Sequence, residues 1–226
     1  MRTPELRRLA LAGLFAIGLS APAAAQNSFW GGDESTPSLV IAPTTIQIDV
    51  PMPVSSGNLQ LMLAQASKGG GLADLKQKAV RNYTQHLHSE LARELYELLE
   101  DEEVPLVQED GLLSLQNDLK LKVIKHLSAM KPKKDYDLEQ GNMALTGEFR
   151  YILKNRAGTA LREHQIDIDE LKIASKYSVR SYHDGRSGKD NTEEAIKKAL
   201  SELVEELVES MEDNLEADQL REMAAL

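Results

Sequence analysis

The hydrophobic positions of this chain change period several times, and each change marks an element. Ile46, Ile48 and Val50 alternate with Gln47 and Asp49, the period-2 pattern of a strand buried on one side, and Leu39 to Ala42 is a shorter β-like run before it. Pro51 and Pro53 end that strand or confine it to an edge. Leu59 to Leu63 is apolar without a period and fits strand or helix equally, and Lys68 to Gly71 breaks the chain. From Leu72 to Glu100 the period becomes helical. Leu72, Leu75, Ala79, Tyr83, Leu87, Leu91, Leu95 and Leu99 form one stripe, widened by Val80 and Leu98. Asp74 suits the positive end of the helix dipole, whereas Glu100 to Glu103 oppose the negative end, so the helix is expected to stop near Glu100, before Pro105.

Strands then return. Val104 to Gln108 is short, Asp110-Gly111 reads as a turn, and Leu119, Leu121 and Val123 alternate with Asp118, Lys120 and Lys122. Met143, Leu145, Phe149, Tyr151 and Leu153 share a face, Asn155 to Gly158 supplies a turn, and Thr159 to Asp169 returns with Ile166 and Ile168. Leu171 to Val179 either extends this sheet or runs across its edge, and Asp184 to Asp190 is a polar loop. A second helix is expected from Asn191 to about Asn214, capped by Asp190 or Asn191 with Glu193 or Glu194 completing a capping box. Its buried stripe is Ile196, Leu200, Leu203, Leu207 and Met211, joined by Ala199, Val204 and Val208.

Two long amphipathic helices, each with one apolar side, can bury the same face of a sheet. The pattern therefore predicts an α+β fold, a two-layer sandwich of mostly antiparallel sheet with both helices on one face. Residues 39–214 are expected to form one domain, with 215–226 either a tail or an extension of the last helix.

The first 25 residues follow different rules. Arg2, Arg7 and Arg8 precede an apolar run from Leu9 to Leu19, and Ala23-Ala24-Ala25 supplies small residues at a cleavage point. Basic, apolar and small segments in that order make a signal peptide, cleaved before Gln26. The apolar run of about 11 residues is too short for a membrane span, which needs about 20. The mature chain is thus expected to be exported to the periplasm, soluble and without a transmembrane segment; Arg7-Arg8 leaves both Sec and twin-arginine export open. Residues 26–38 read as a flexible arm whose one apolar pair, Phe29-Trp30, either anchors a partner or folds back on the body.

Removing the leader takes the count from 26 basic and 36 acidic residues to 23 and 35, which disfavours nucleic acid as a partner. The chain has no cysteine. Export would have permitted disulfides, so stability is left to packing, and thiol chemistry and a lipidated N-terminal cysteine are both excluded.

Catalytic signals are sparse. His86 and His88 would point about 200° apart on a helix and cannot chelate one ion. No G-x-S-x-G motif occurs, and Gly69-Gly70-Gly71 lacks the Lys-Ser/Thr of a phosphate-binding loop. Glu202, Glu205, Glu206, Glu209 and Glu212 follow the outward side of the last helix as a solvated face. No catalytic residue, metal ligand or cofactor is assigned, and the reading leans toward a non-catalytic role. One charge feature stands out: Lys120, Lys122, Lys125, Lys131, Lys133 and Lys134 concentrate in an otherwise acidic chain. Such a patch meets anionic lipid, lipopolysaccharide phosphate or an acidic protein, or else protects a sheet edge from pairing.

The order of a strand at Ile46–Val50, a helix at Leu72–Glu100, strands through Asp169 and a helix at Asn191–Asn214 resembles small envelope accessory proteins of Gram-negative bacteria. The lipopolysaccharide-assembly lipoprotein of the outer-membrane translocon and related periplasmic accessory lipoproteins share it. The resemblance implies a non-catalytic assembly or adaptor role. It transfers no functional residue, and this chain departs from those families in lacking the lipidated cysteine. The expected function is a periplasmic accessory protein binding an envelope protein or an anionic envelope component, through Phe29-Trp30, the lysine patch or the sheet edge. A secreted hydrolase with a site assembled in space and a small-ligand carrier are the alternatives.

Overall fold

The computed structural model describes residues 36–52 and 71–225. The leader, Phe29 and Trp30, and the run Leu59–Leu63 lie outside the described residues.

Two short strands, β1 (Leu39–Ile41) and β2 (Thr45–Asp49), precede a 31-residue helix, α1 (Gly71–Asp101). A long hairpin follows, β3 (Leu113–Pro132) and β4 (Tyr136–Asn155), each 20 residues. Next come β5 (Ala160–Asp167), a single helical turn α2 (Ile168–Leu171) and β6 (Ala174–Tyr182). The chain ends in α3 (Thr192–Leu215) and α4 (Ala217–Ala224). The six strands among the described residues form one mixed sheet. β3 lies antiparallel to β4, and β1 and β2 both run parallel to the outer edge of β3. β5 and β6 share the far edge of β4: β5 pairs with Glu148–Lys154 and β6 with Tyr136–Ala144.

Alternation decides what each face does. Leu115, Leu119, Leu121 and Val123 of β3, Met143, Phe149, Tyr151 and Leu153 of β4, and Tyr177 and Val179 of β6 are buried with the stripes of α1 and α3. The intervening residues, among them Lys120, Lys122, Arg150 and Glu163, are exposed. Both long helices thus cover one face of the sheet and leave the other to water, as the α+β sandwich requires. Burying about thirty apolar side chains, each worth about 1.5–3 kcal/mol, supplies the packing that a chain without disulfides depends on. His86 ties the two helices together, its Nε2 lying 3.1 Å from Ser201 Oγ and 3.3 Å from the Lys197 carbonyl oxygen.

Some local expectations give way to tertiary demands. Asn191 occupies the N-cap of α3 but its side chain makes no cap bond; its Oδ1 accepts instead from the Ser178 N–H at 2.6 Å, fastening the loop to β6. Asp190 Oδ1 accepts from the Thr192 N–H at 2.9 Å. Val104–Gln108 contributes a single bridge, Leu106 to Leu39, and no strand. Glu102, unfavourable at the end of its own helix, places Oε2 3.1 Å from the Ala217 N–H and so serves the start of α4. That short helix buries Leu220 and Met223.

Candidate functional site

The helices do not cover the whole hairpin. β2 accompanies β3 only as far as Lys122, so from Val123 to Pro132 β3 pairs on the β4 side alone among the described residues. A bulge between Leu127 and Ala129 interrupts this free edge. Bulges and lysines both discourage strand-on-strand pairing there. Leu127 and Met130, 57% and 51% exposed, lie on this stretch.

Two connections meet at this end of the sheet. The β3–β4 turn is closed by the Lys133 N–H donating to the Tyr136 carbonyl at 2.8 Å, and the loop after β6 joins it through the His183 N–H and the Asp135 carbonyl at 3.1 Å. Tyr136 and Tyr182 are partners in the β4–β6 register, and their rings meet edge to face at 5.5 Å. Arg180 stacks 4.7 Å from the centre of Tyr136, and Arg186 stacks 3.9 Å from that of Tyr182. Arg180, Tyr136, Tyr182 and Arg186 thereby form one interleaved cluster. Stacking fixes the planar guanidinium groups while leaving N–H donors free for an anion.

The structure disperses the six lysines. Lys120 pairs with Glu148 at 2.6 Å on the open face of the sheet. Lys122 is exposed on that same face. Lys125 turns to the helix side, where its Nζ lies 2.6 Å from Glu139 Oε1 and 4.6 Å from the Tyr177 ring centre. Glu139 is only 7% exposed and also accepts from the Tyr177 hydroxyl at 3.0 Å. Burial, and then the bond to Glu139, push the Tyr177 hydroxyl well above its ordinary range. Lys131, Lys133 and Lys134 remain at the tip. Lys131 donates to neutral Gln140 at 3.0 Å, and Lys133 and Lys134 have no carboxylate partner among the described residues. The tip is therefore where unneutralised positive charge gathers, beside the arginine–tyrosine cluster.

Sequence reading did not single out Arg180, Arg186, Tyr136 or Tyr182, because only the β4–β6 register brings them together. The available signal was an aromatic beside a basic residue in each segment: Lys134 and Tyr136, Arg180 and Tyr182.

A second concave feature lies between the long helices, a cleft of about 380 Å³ lined by Leu75, Ala79, Tyr83, Thr192, Glu193 and Ile196, among others. Its carboxylates are already engaged, Asp190 with the Thr192 N–H and Glu193 with Lys197 at 2.8 Å. Burial first, then the charges of Glu193 and Asp190, push the Tyr83 hydroxyl up to about 12. A phenol whose folded value is raised contributes stability that is intact below its unfolded value near 10 and is lost as pH climbs through 12. Stability is therefore expected to fall by at most about 2 kcal/mol between those limits on account of Tyr83, and Tyr83→Phe to lessen that slope in urea titrations while leaving the share of Tyr177.

No family model matches the chain, and a search of curated proteins finds no match. Among solved structures, the fold is similar to that of a protein described as a neuraminyllactose-binding hemagglutinin homolog from Helicobacter pylori, with a TM-score of 0.53 and 12% identity over 84% of this chain and 91% of that one. A minor lipoprotein from Acinetobacter baumannii overlays with a TM-score of 0.32 and 12% identity over 82% and 94%, and a lipoprotein from Neisseria meningitidis with 0.18 and 13% over 78% and 99%. The first likeness is one of fold; the other two overlays are too loose to carry weight. No described helix is long and apolar enough to cross a membrane.

Proposed function

We propose that this chain is a periplasmic accessory protein that binds another component of the cell envelope, and that the basic end of its sheet is the contact. The observation that carries the reading is the meeting of Lys131, Lys133 and Lys134 with the Arg180–Tyr136–Tyr182–Arg186 cluster, in a chain of net charge −10. Concentrated positive charge on an acidic molecule selects anionic surfaces and orients the approach. The leader motif supports export, and the fold shared with the Helicobacter protein supports a binding rather than a catalytic scaffold only by analogy.

Two measurements test it. Fractionation and mass spectrometry of the expressed protein should find a mature form beginning at Gln26 in the periplasm; an uncleaved cytoplasmic chain overturns the placement. Immobilised protein should retain an envelope component that Lys131→Glu/Lys133→Glu/Lys134→Glu loses by at least about tenfold at physiological salt. Equal retention by both removes the tip as the contact.

The small-ligand reading is favoured by the cleft between α1 and α3. Its two acidic groups are committed to the protein itself, so it ranks second.

A further inference from the structure

We infer that the tip of the β3–β4 hairpin, with the adjoining loop after β6, docks on the surface of an anionic lipid bilayer. The inference rests on the reading above for the place of contact and goes beyond it in naming what is contacted.

Charge is the first support. In residues 131–137 and 180–188, five Lys and Arg stand against three Asp. Two of those carboxylates are engaged locally, Asp184 with Arg186 at 3.3 Å and Asp137 with His183 at 3.4 Å. Lys133 and Lys134, at the turn itself, have no carboxylate partner among the described residues. Lysines on flexible stems suit an array of mobile phosphates, and each adds measurably to attraction near an anionic leaflet.

Apolar exposure is the second. Met130 stands opposite Glu139 and Lys131 opposite Leu138, so the exposed methionine and the first tip lysine occupy opposite faces of the hairpin near its end. Leu127 adds a second exposed apolar side chain one bulge further up. Tyr136 and Tyr182 flank the same turn. Tip cations flanked by amphipathic rings match the outer layer of a bilayer: ammonium groups reach phosphate while the rings rest among the headgroups, and Met130, set further back, adds only a minor apolar contact. An acidic protein surface, with carboxylates at fixed positions, favours arginines, whereas the cations of the turn itself are lysines alone.

Geometry is the third. The turn and the loop are joined at Asp135 and His183, so both reach a flat surface together, while the acidic outward face of α3 belongs to the helix layer.

The test uses the mature full-length chain and sedimentation with vesicles. Retention is expected on phosphatidylcholine vesicles containing about 30% phosphatidylglycerol but not on phosphatidylcholine alone, and should collapse between about 0.05 and 0.5 M salt. Lys131→Glu/Lys133→Glu/Lys134→Glu should weaken partitioning on the order of 100-fold. Met130→Ser should weaken it by only a few-fold while keeping the salt dependence. Free glycerol phosphate should not displace the protein, because a single phosphate cannot replace the array. Circular dichroism and melting of both variants should match the parent, since all four positions are exposed. The inference is overturned if anionic vesicles retain nothing, or if they retain parent and lysine variant alike. Lysine-dependent capture of an envelope protein without vesicle binding would overturn it while leaving the tip as the contact.

Discussion

Glu139→Leu is expected to destabilise the fold by about 3 kcal/mol, because it removes one member of a buried ion pair and strands the other. The Lys125 ammonium, its side chain 20% exposed, would lose the carboxylate 2.6 Å away, and the Tyr177 hydroxyl would lose its acceptor. The pair itself is worth far less than that. Taking both charges out of water costs nearly as much as their attraction returns, so Lys125→Met/Glu139→Leu should recover most of the loss, and adding Tyr177→Phe should recover the unpaired hydroxyl as well. Urea unfolding of the parent, the two single variants, the double and the triple gives the coupling directly. A loss below about 1 kcal/mol for Glu139→Leu alone would mean that the pair is hydrated and contributes as little as a surface bridge.

That cluster also shows where sequence patterning stops being informative. The helical stripes were legible because their period survives over many turns: Tyr83, Leu87, Leu91, Leu95 and Leu99 on α1, and Ile196, Leu200, Leu203, Leu207 and Met211 on α3, are all buried where the 3.6-residue spacing puts them. The β4–β5 hairpin was legible for the same reason, with Phe149, Tyr151 and Leu153 alternating up to the turn at Asn155. The far half of β3 was not. Its bulge between Leu127 and Ala129 shifts the phase of the alternation, and beyond Val123 none of its apolar side chains joins the buried core to enforce it. Asn117 shows the converse. It stands in phase with Leu115 and Leu119 and is fully buried, yet neither amide atom has a hydrogen-bond partner among the described residues, so the pattern places it correctly while the chemistry of the residue argues against the position.

The candidate site was half legible. Clustered lysines can be seen in a linear chain, but their division among Glu148, Glu139 and the free tip depends on which face each occupies and which strand lies opposite. The arginine–tyrosine cluster required β6 to return to β4 beyond the end of β5, a choice made by the single turn α2 and by Lys172 in the left-handed conformation at its end. Of the two capping candidates, Asp190 receives the Thr192 N–H at the helix start while the Asn191 side chain turns elsewhere, for a related reason. The Asn191 side chain has two candidate partners, its own helix and the Ser178 N–H, and the second also fixes the loop beside the tip.

Gly141→Ala is expected to cost about 3 kcal/mol or more, by a mechanism unrelated to glycine flexibility. A Cβ at this position would stand 1.9 Å from the His126 carbonyl oxygen and 2.6 Å from Tyr177 Cε1. The oxygen belongs to the facing strand and cannot swing aside, so β3 and β4 must part locally, next to the bulge and the Lys125–Glu139–Tyr177 cluster. Gly158 provides the contrast: its φ is +81° in an open turn and nothing among the described residues lies within 4 Å of an added Cβ. Gly158→Ala should therefore cost only about 1 kcal/mol of backbone strain. In a domain of this size each kcal/mol lowers the melting temperature by about 2–4 °C, so the two variants should separate by several degrees. Hydrogen exchange should then show the Gly141→Ala loss concentrated between Leu127 and Gly141, with α1 unaffected. A uniform loss would mean that the exposed end of the hairpin unfolds only with the rest of the domain, and that the tip lysines are held by the core rather than by their own ladder.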